Sequence, residues 1–420
     1  MSAVSAPRAL PGFAFAALFA TTLATGTGNM GLISVMPAAG RVLGISDYLI
    51  ASIFSLSALM WAITSPLWAA RSDRKGRKQH ILIGVGGFIV SMLGCGMVVL
   101  AGLQGLTAAF ATFVGFLLVR STYGMFGSAS AAAAQAYVAE RTEGQQRVRA
   151  IAGLGGALSL GTILGPAIAP FLILPYLGLS GPMFVFALAG VAIFIAVAIG
   201  LPSDRNRGEA VATVGSSGGW AIWSNRAVRP YLIYGLAMSC AQAGNTYTLG
   251  FLVIDRMGLP PAEAQSAIGI VMVAGAVAGL IAQWGLVGLC GMMPRALLLW
   301  GSFLALLGNV LLIVLPGFTM LAGSFALLSF GYGLARPGYT AGASLAVGES
   351  GQGGVAGAVS AIAGASIVAV PTLAVGLYEW QPALPFLAFG AVMCGLLAMS
   401  AFHPGLSGKR PEPAIVSCER

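Results

Sequence analysis

Long apolar runs recur along the whole chain, and they decide what it can fold into. Runs of spanning length fall at 11–38, 48–70, 81–102, 107–138, 149–174, 180–202, 230–254, 261–288, 295–316, 318–346, 354–378 and 382–402. Each reaches the ~20 residues that a helix needs to cross a ~30 Å hydrocarbon core. Lipid offers no partner to backbone N–H and C=O groups, so the runs are predicted to be helices. The composition agrees, with 58% hydrophobic and 8% charged residues, against about 25% charged in a soluble domain. The longest polar interruption, 203–229, carries Asp204, Arg205, Arg207 and Glu209 in a Gly/Ser-rich setting and divides the runs six and six. The expected architecture is an all-α membrane protein of twelve transmembrane helices in two pseudo-symmetric six-helix bundles. One bundle is 1–202, the linker 203–229, the second bundle 230–402 and a cytoplasmic tail 403–420. The first run is too long for the apolar part of a signal peptide and is read as a retained helix.

Charge sets the orientation. With the N-terminus inside, the inner loops and tails hold Arg8, Arg71, Arg74, Lys75, Arg77, Lys78, Arg141, Arg147, Arg149, Arg205, Arg207, Arg226, Arg229, Arg295, Lys409, Arg410 and Arg420. Arg41 and Arg256 alone fall outside, and Arg120 and Arg336 fall within spans. Basic loops stay cytoplasmic, so both termini are predicted to face the cytoplasm of a cell inner membrane. The net charge of +9 then reports topology, and no nucleic-acid partner is expected.

The densest cluster, 65–78, reads S-P-L-W-A-A-R-S-D-R-K-G-R-K and lies between the second and third runs. It reads as a short membrane-edge loop. Beyond topology, it suits a latch in which Asp73 pairs with a cation or caps a neighbouring helix N-terminus. D-R-K-G-R-K after an apolar helix resembles the loop between helices 2 and 3 of major facilitator superfamily transporters, G-x-x-x-D-R-x-G-R-K/R. Asp73, Arg74, Gly76, Arg77 and Lys78 match it, and Ala69 stands where the family's first Gly usually is. Within that family the chain is most similar to the twelve-helix drug:proton antiporters.

An internal repeat fits duplicated bundles. Tyr123 and Gly124 precede Glu140 by the spacing at which Tyr332 and Gly333 precede Glu349, and spans 1 and 7 each hold a Gly-Asn pair at Asn29 and Asn245. Parallel repeats suit a rocking transporter with a site near the bilayer midplane. Among 60 glycines, many can serve close helix approach. After span 8 the second copy of the basic loop, W-G-L-V-G-L-C-G-M-M-P-R, has lost its acid.

Arg120 lies inside span 4, where a cation is expensive and therefore a functional candidate; bonding to neighbouring carbonyls is the plainer reading. With Gly124 it matches the family's R-x-x-x-G pattern, which implies proton coupling or substrate contact. Gly161, Gly165 and Pro166 in span 5 resemble the G-x-x-x-G-P signature of drug:proton antiporters; a generic kinked helix is the alternative. Arg336, next to Pro337 in span 10, is read as a second buried cation. By family analogy spans 1, 4, 7 and 10 line the central cavity, which makes Asn29, Tyr123, Gln242, Asn245, Tyr247, Tyr332 and Tyr339 cavity candidates. Two cations with amides and phenols suit a planar or anionic solute; for each side chain alone, a helix-bridging role competes.

No acid lies deep in a span: Asp47, Glu140, Asp255, Glu349 and Glu379 sit at helix ends. Many drug:proton antiporters carry an embedded carboxylate, so coupling here falls to an edge carboxylate or is absent. Five scattered cysteines, Cys95, Cys240, Cys290, Cys394 and Cys418, form no disulfide framework or metal site, and no cofactor is expected. The function predicted is proton-coupled efflux of a small amphipathic organic solute by a monomer in a lipid bilayer. The alternatives are import of a nutrient such as a planar, riboflavin-like vitamin and, remotely, a non-transporting membrane sensor. An enzyme is not expected, because no embedded His/Asp/Glu cluster appears.

Overall fold

The computed structural model describes residues 11–202, 222–286, 292–347 and 351–406. Glu349, Cys290, Cys418, most of the 203–229 linker, part of the second loop copy and the basic tail lie outside the described residues. Helices follow one another as α1 (Gly12–Val42), α2 (Asp47–Lys75), α3 (Arg77–Leu103), α4 (Ala109–Arg141), α5 (Gly144–Ile168), α6 (Gly181–Gly200), α7 (Arg229–Met257), α8 (Gln265–Leu280), α9 (Pro294–Val314), α10 (Phe318–Leu345), α11 (Gln352–Val368), α12 (Val370–Trp380) and α13 (Leu384–Phe402). Among the described residues, ten spans are long and apolar enough to cross a membrane, with α11 and α12 forming one of them. α1 and α7, at 31 and 29 residues, bring the long spans to the twelve expected. Both carry buried polar residues, Thr21 and Thr27 in α1 and Asn245 and Thr248 in α7.

Prolines and glycines shape individual spans. The expected run 354–378 breaks at Ala369, because Pro371 opens α12 and lacks the N–H that would continue α11. The end of α5 tightens into a 3₁₀ turn over Ala169–Leu172 around Pro170, and α8 ends in a wide π turn, Ile281–Leu286. The basic stretch is not the open loop expected from its polarity. α2 runs on through Lys75, and Gly76 alone, at φ 95°, turns the chain into α3. Cations at the C-terminal end of a helix meet the negative end of its dipole, so Arg74 and Lys75 extend the helix. A left-handed backbone position then has to be glycine.

α1 packs on α5 and α6, and α3 on α4 and α6; in the second set α10 packs on α8 and α9, and α13 on α9. The sets meet where α2 lies on α11 and α12 and where α5 lies on α8. The molecule has two ends, one bearing the basic loop and one bearing Arg41. Polar contacts between the sets lie toward the Arg41 end: Gln265 Nε2 donates to Ser34 Oγ at 3.4 Å, and Thr372 Oγ1 to Ser55 Oγ at 2.7 Å. The hydrophobic core has the same asymmetry. Its main cluster runs unbroken from Leu32, Ile50 and Phe54 to Phe251, Ile254, Ile268 and Tyr378. Toward the basic end a separate cluster of Ala14, Leu18, Ile81, Val85, Tyr137 and Leu201 belongs to α1–α6 alone. Among the described residues, the polar contacts that join the two sets all lie toward the Arg41 end.

Candidate functional site

α4 places Arg120 near its middle, 2% exposed. One turn later stands Gly124, and the two positions have linked tasks. A Cβ on Gly124 would lie 2.3 Å from the Ser57 carbonyl oxygen, so glycine permits the close α2–α4 crossing. That crossing lets Ser57 Oγ donate to the Arg120 carbonyl at 3.3 Å and brings Phe54 of α2 over the guanidinium, 5.6 Å from Cζ to the ring centre. Tyr123 covers it at 4.6 Å. Arg120 Nη2 donates to Asn29 Oδ1 of α1. Tyr247 of α7 joins the cluster through the Phe54 ring, with ring centres 5.4 Å apart. The structure thus brings together Asn29, Arg120, Tyr123 and Tyr247. Phe54 and Ser57 were not anticipated, because a phenylalanine and a serine in an apolar run carry no distinguishing pattern.

The guanidinium is only partly satisfied. Nε and Nη1 of Arg120 are buried and meet no hydrogen-bond acceptor among the described residues. Ring faces attract a cation but accept no directed hydrogen bond of carboxylate strength. Two unpaired donors on different edges of the guanidinium, held between aromatic rings, can each take a carboxylate, phosphate or carbonyl oxygen.

The other candidates divide. Asn245 Nδ2 donates to Tyr332 Oη at 2.8 Å, tying α7 to α10. Tyr339 packs its ring on Gly235 and, at 6.4 Å, beside Tyr234 within the core, so it is a packing residue. Gln242 is exposed. Arg336, expected to be buried, is exposed as well. α10 presents it at an exposed position, so it is not a second buried cation.

The 65–78 stretch forms a network. Arg77 pairs with Asp73 one turn back, and its Nε and Nη2 donate to Glu140 Oε1 at 3.1 and 2.9 Å. Its Nη1 donates to Ser72 Oγ at 2.5 Å. Lys78 Nζ reaches the Ala198 carbonyl of α6 at 2.7 Å, and Arg74 is exposed. Among the described residues these contacts of Asp73, Arg77 and Lys78 join α2, α3, α4 and α6, all within the first six helices. Gly161 and Gly165 seat α5 on the α1 backbone: added Cβ atoms would lie 2.8 Å from Thr27 N and 2.4 Å from Thr27 O. The carbonyl of Pro166 lies under Gly269 of α8, where a Cβ would approach to 2.7 Å. The G-x-x-x-G-P stretch is therefore the three-way crossing of α1, α5 and α8.

With this geometry in hand, comparison with known proteins is informative. A family model described as Major Facilitator Superfamily matches residues 17–289. Multidrug resistance protein 2 of Bacillus subtilis (strain 168) is 26% identical over 373 residues, 86% of this chain and 88% of that protein. Tetracycline resistance protein, class B, of Escherichia coli is 30% identical over 156 residues, covering 37% of this chain and only 35% of its own length. Among solved structures, the nucleoside transporter NupG superposes with a TM-score of 0.72 at 10% identity, covering 92% of this chain and 98% of that one. At that identity the likeness concerns the fold alone.

Proposed function

Because this chain belongs to the Major Facilitator Superfamily, we propose that it exports a small amphipathic organic solute by alternating access, driven by protons. It is a multi-pass membrane transporter and not an enzyme. The relatives named as multidrug and tetracycline resistance proteins support the outward direction. The basic end is the cytoplasmic one under the positive-inside rule, so the end where no polar contact joins the sets among the described residues faces the cytoplasm and would admit a solute from inside. The observation that carries a solute role is the Arg120 cage: two buried, unpaired guanidinium donors between Tyr123 and Phe54, on the α1–α4 wall. It favours a flat solute with an anionic or carbonyl oxygen.

The protein acts as a monomer in the cytoplasmic membrane, with both termini inside. One observation favours a second reading, import of a planar nutrient: among the described residues the acids lie toward helix ends, as Asp47 at the start of α2 and Asp255 in the last turn of α7, and none of them is a mid-span proton carrier. The test compares cells lacking the protein with cells overproducing it, scored for drug resistance and for uptake of labelled planar vitamins. Resistance that rises with expression and collapses with a protonophore is expected. Accumulation of a labelled vitamin with no change in resistance would replace efflux with import.

A further inference from the structure

Arg41 was read from the sequence only as one of two cations on the outer side. In the structure it holds the two sets of helices together. Its guanidinium has two carboxylate partners of different kinds. Asp47 is local: Arg41 ends α1, Asp47 begins α2, and the turn at Gly44 (φ 68°) folds one onto the other. Arg41 Nε and Nη2 donate to its two carboxylate oxygens at 3.2 and 2.7 Å. Asp255 is distant: it lies on α7, 214 residues along the chain, and pairs with Nη1 while accepting from Nη2 at 3.1 Å. Tyr378 of α12 donates its hydroxyl to Asp255 Oδ2 at 2.6 Å. The guanidinium also stands 5.5 Å from the Phe251 ring centre on α7. Next to it the Tyr48 N–H donates to Glu379 of α12 at 3.4 Å. Beneath it Gly250 of α7 lies against Pro37 of α1, where a Cβ would come within 2.4 Å.

The two partners divide the work. Asp47 travels with α1 and keeps Arg41 aimed whatever the second set of helices does. The contacts to Asp255 and Phe251 exist only while the Arg41 end is shut. A cavity of about 300 Å³ beside the pair, lined by Asp255, Arg256, Ile313, Tyr378 and Phe386, gives Asp255 room to withdraw. Neighbouring Arg256 is committed elsewhere: it donates to the carbonyls of Leu312, Ile313 and Leu315 at 2.9 to 3.1 Å, at the end of α9. The cross-set pair is partly exposed, with side-chain exposures of 22% and 41%, so water screens it and it can be broken in every cycle.

From this geometry we infer that Arg41 and Asp255 form the gate lock that holds the outer end shut, with Asp47 and Tyr378 as positioning residues on either side. The inference rests on the alternating-access reading above, but not on the solute, its direction or protons.

The test uses the full chain in lipid nanodiscs, with spin labels at Val42→Cys and Leu259→Cys and the native cysteines replaced by serine. Pulsed electron resonance then reports the distribution of distances between α1 and the segment after α7. Arg41→Gln and Asp255→Asn should each raise the ratio of long to short distances about 3- to 10-fold, the size expected for a partly exposed bidentate pair. The double variant should do little more than either single one, because both remove the same contact. Arg256→Gln should leave the ratio unchanged. Unchanged distances in both single variants, or fully additive effects in the double, would overturn the lock. If a glutamine variant fails to fold, Arg41→Lys keeps the charge without the fork and should still raise the ratio measurably; no change there also overturns the lock. A population shift in a protein that moves no solute would leave the lock standing and remove the transport reading instead.

Discussion

Replacing Arg120 with methionine separates a solute-binding arginine from a structural one. Methionine is similar in length and carries no donor. The substitution removes two buried donors that lack acceptors, Nε and Nη1, each costing about 1–3 kcal/mol, a gain of about 2–6 kcal/mol. It also removes the bond to Asn29, about 1.5–3 kcal/mol for a charged donor. Two ring contacts, to Tyr123 and Phe54, go with it at about 0.5–2 kcal/mol each. At the middle of these ranges a gain of about 4 kcal/mol meets a loss of about 5 kcal/mol, so the Arg120→Met protein should melt within about 5 °C of the parent. Transport should fall far more. If each free donor holds a solute oxygen with a charge-assisted bond, losing both costs at least about 3 kcal/mol, or more than about 100-fold in transport efficiency. Melting curves in detergent and initial rates in proteoliposomes read the two effects on one preparation. Retained transport would refute the solute role. A collapse in melting temperature would show that Arg120 ties helices together, and the cage would then be structural.

Three further outcomes follow from the packing. Gly165→Ala sets a Cβ 2.4 Å from Thr27 O and 2.5 Å from Gly31 N, both backbone atoms, so α1 and α5 must part; a loss of about 1–3 kcal/mol is expected as a lowered melting temperature. Tyr332→Phe leaves Asn245 without its 2.8 Å acceptor and should destabilise by about 1–3 kcal/mol, and adding Asn245→Leu should recover part of it, as a thermal double-mutant cycle would show. Arg77→Gln removes the ties to Asp73 and Glu140 and should slow transport with the protein still in the membrane, whereas Arg77→Lys, keeping the charge without the fork, should retain more; equal rates in the two variants would contradict the network reading.

Much of the fold was legible because membrane physics simplifies the code. A run long enough to cross lipid must be helical, and so the twelve runs became twelve long helical spans with ends displaced by a few residues. The Asp73-to-Lys78 motif located the charged network, and Arg120 announced itself as a charge inside an apolar span. The same simplicity hid other things. Apolar periodicity does not say which face meets lipid and which meets a partner helix, so Phe54 and Ser57 gave no sign that they frame Arg120. Arg336 followed the same logic as Arg120 and failed, since α10 turns it onto an exposed face. The polar look of 65–78 suggested a loop, yet helix-favouring cations carried α2 to Lys75 and left Gly76 as the single breaking point.

The amino-acid order alone determined the solvent and the number of spans, because each depends on local hydropathy that no neighbour can alter. Only the packed molecule decided that Arg41 meets Asp255 across 214 residues, that two Arg120 donors meet no acceptor among the described residues, and that the described polar contacts between the sets gather toward the Arg41 end. Those properties depend on how whole helices rotate and lean against one another, and a chain read one span at a time contains no term for that.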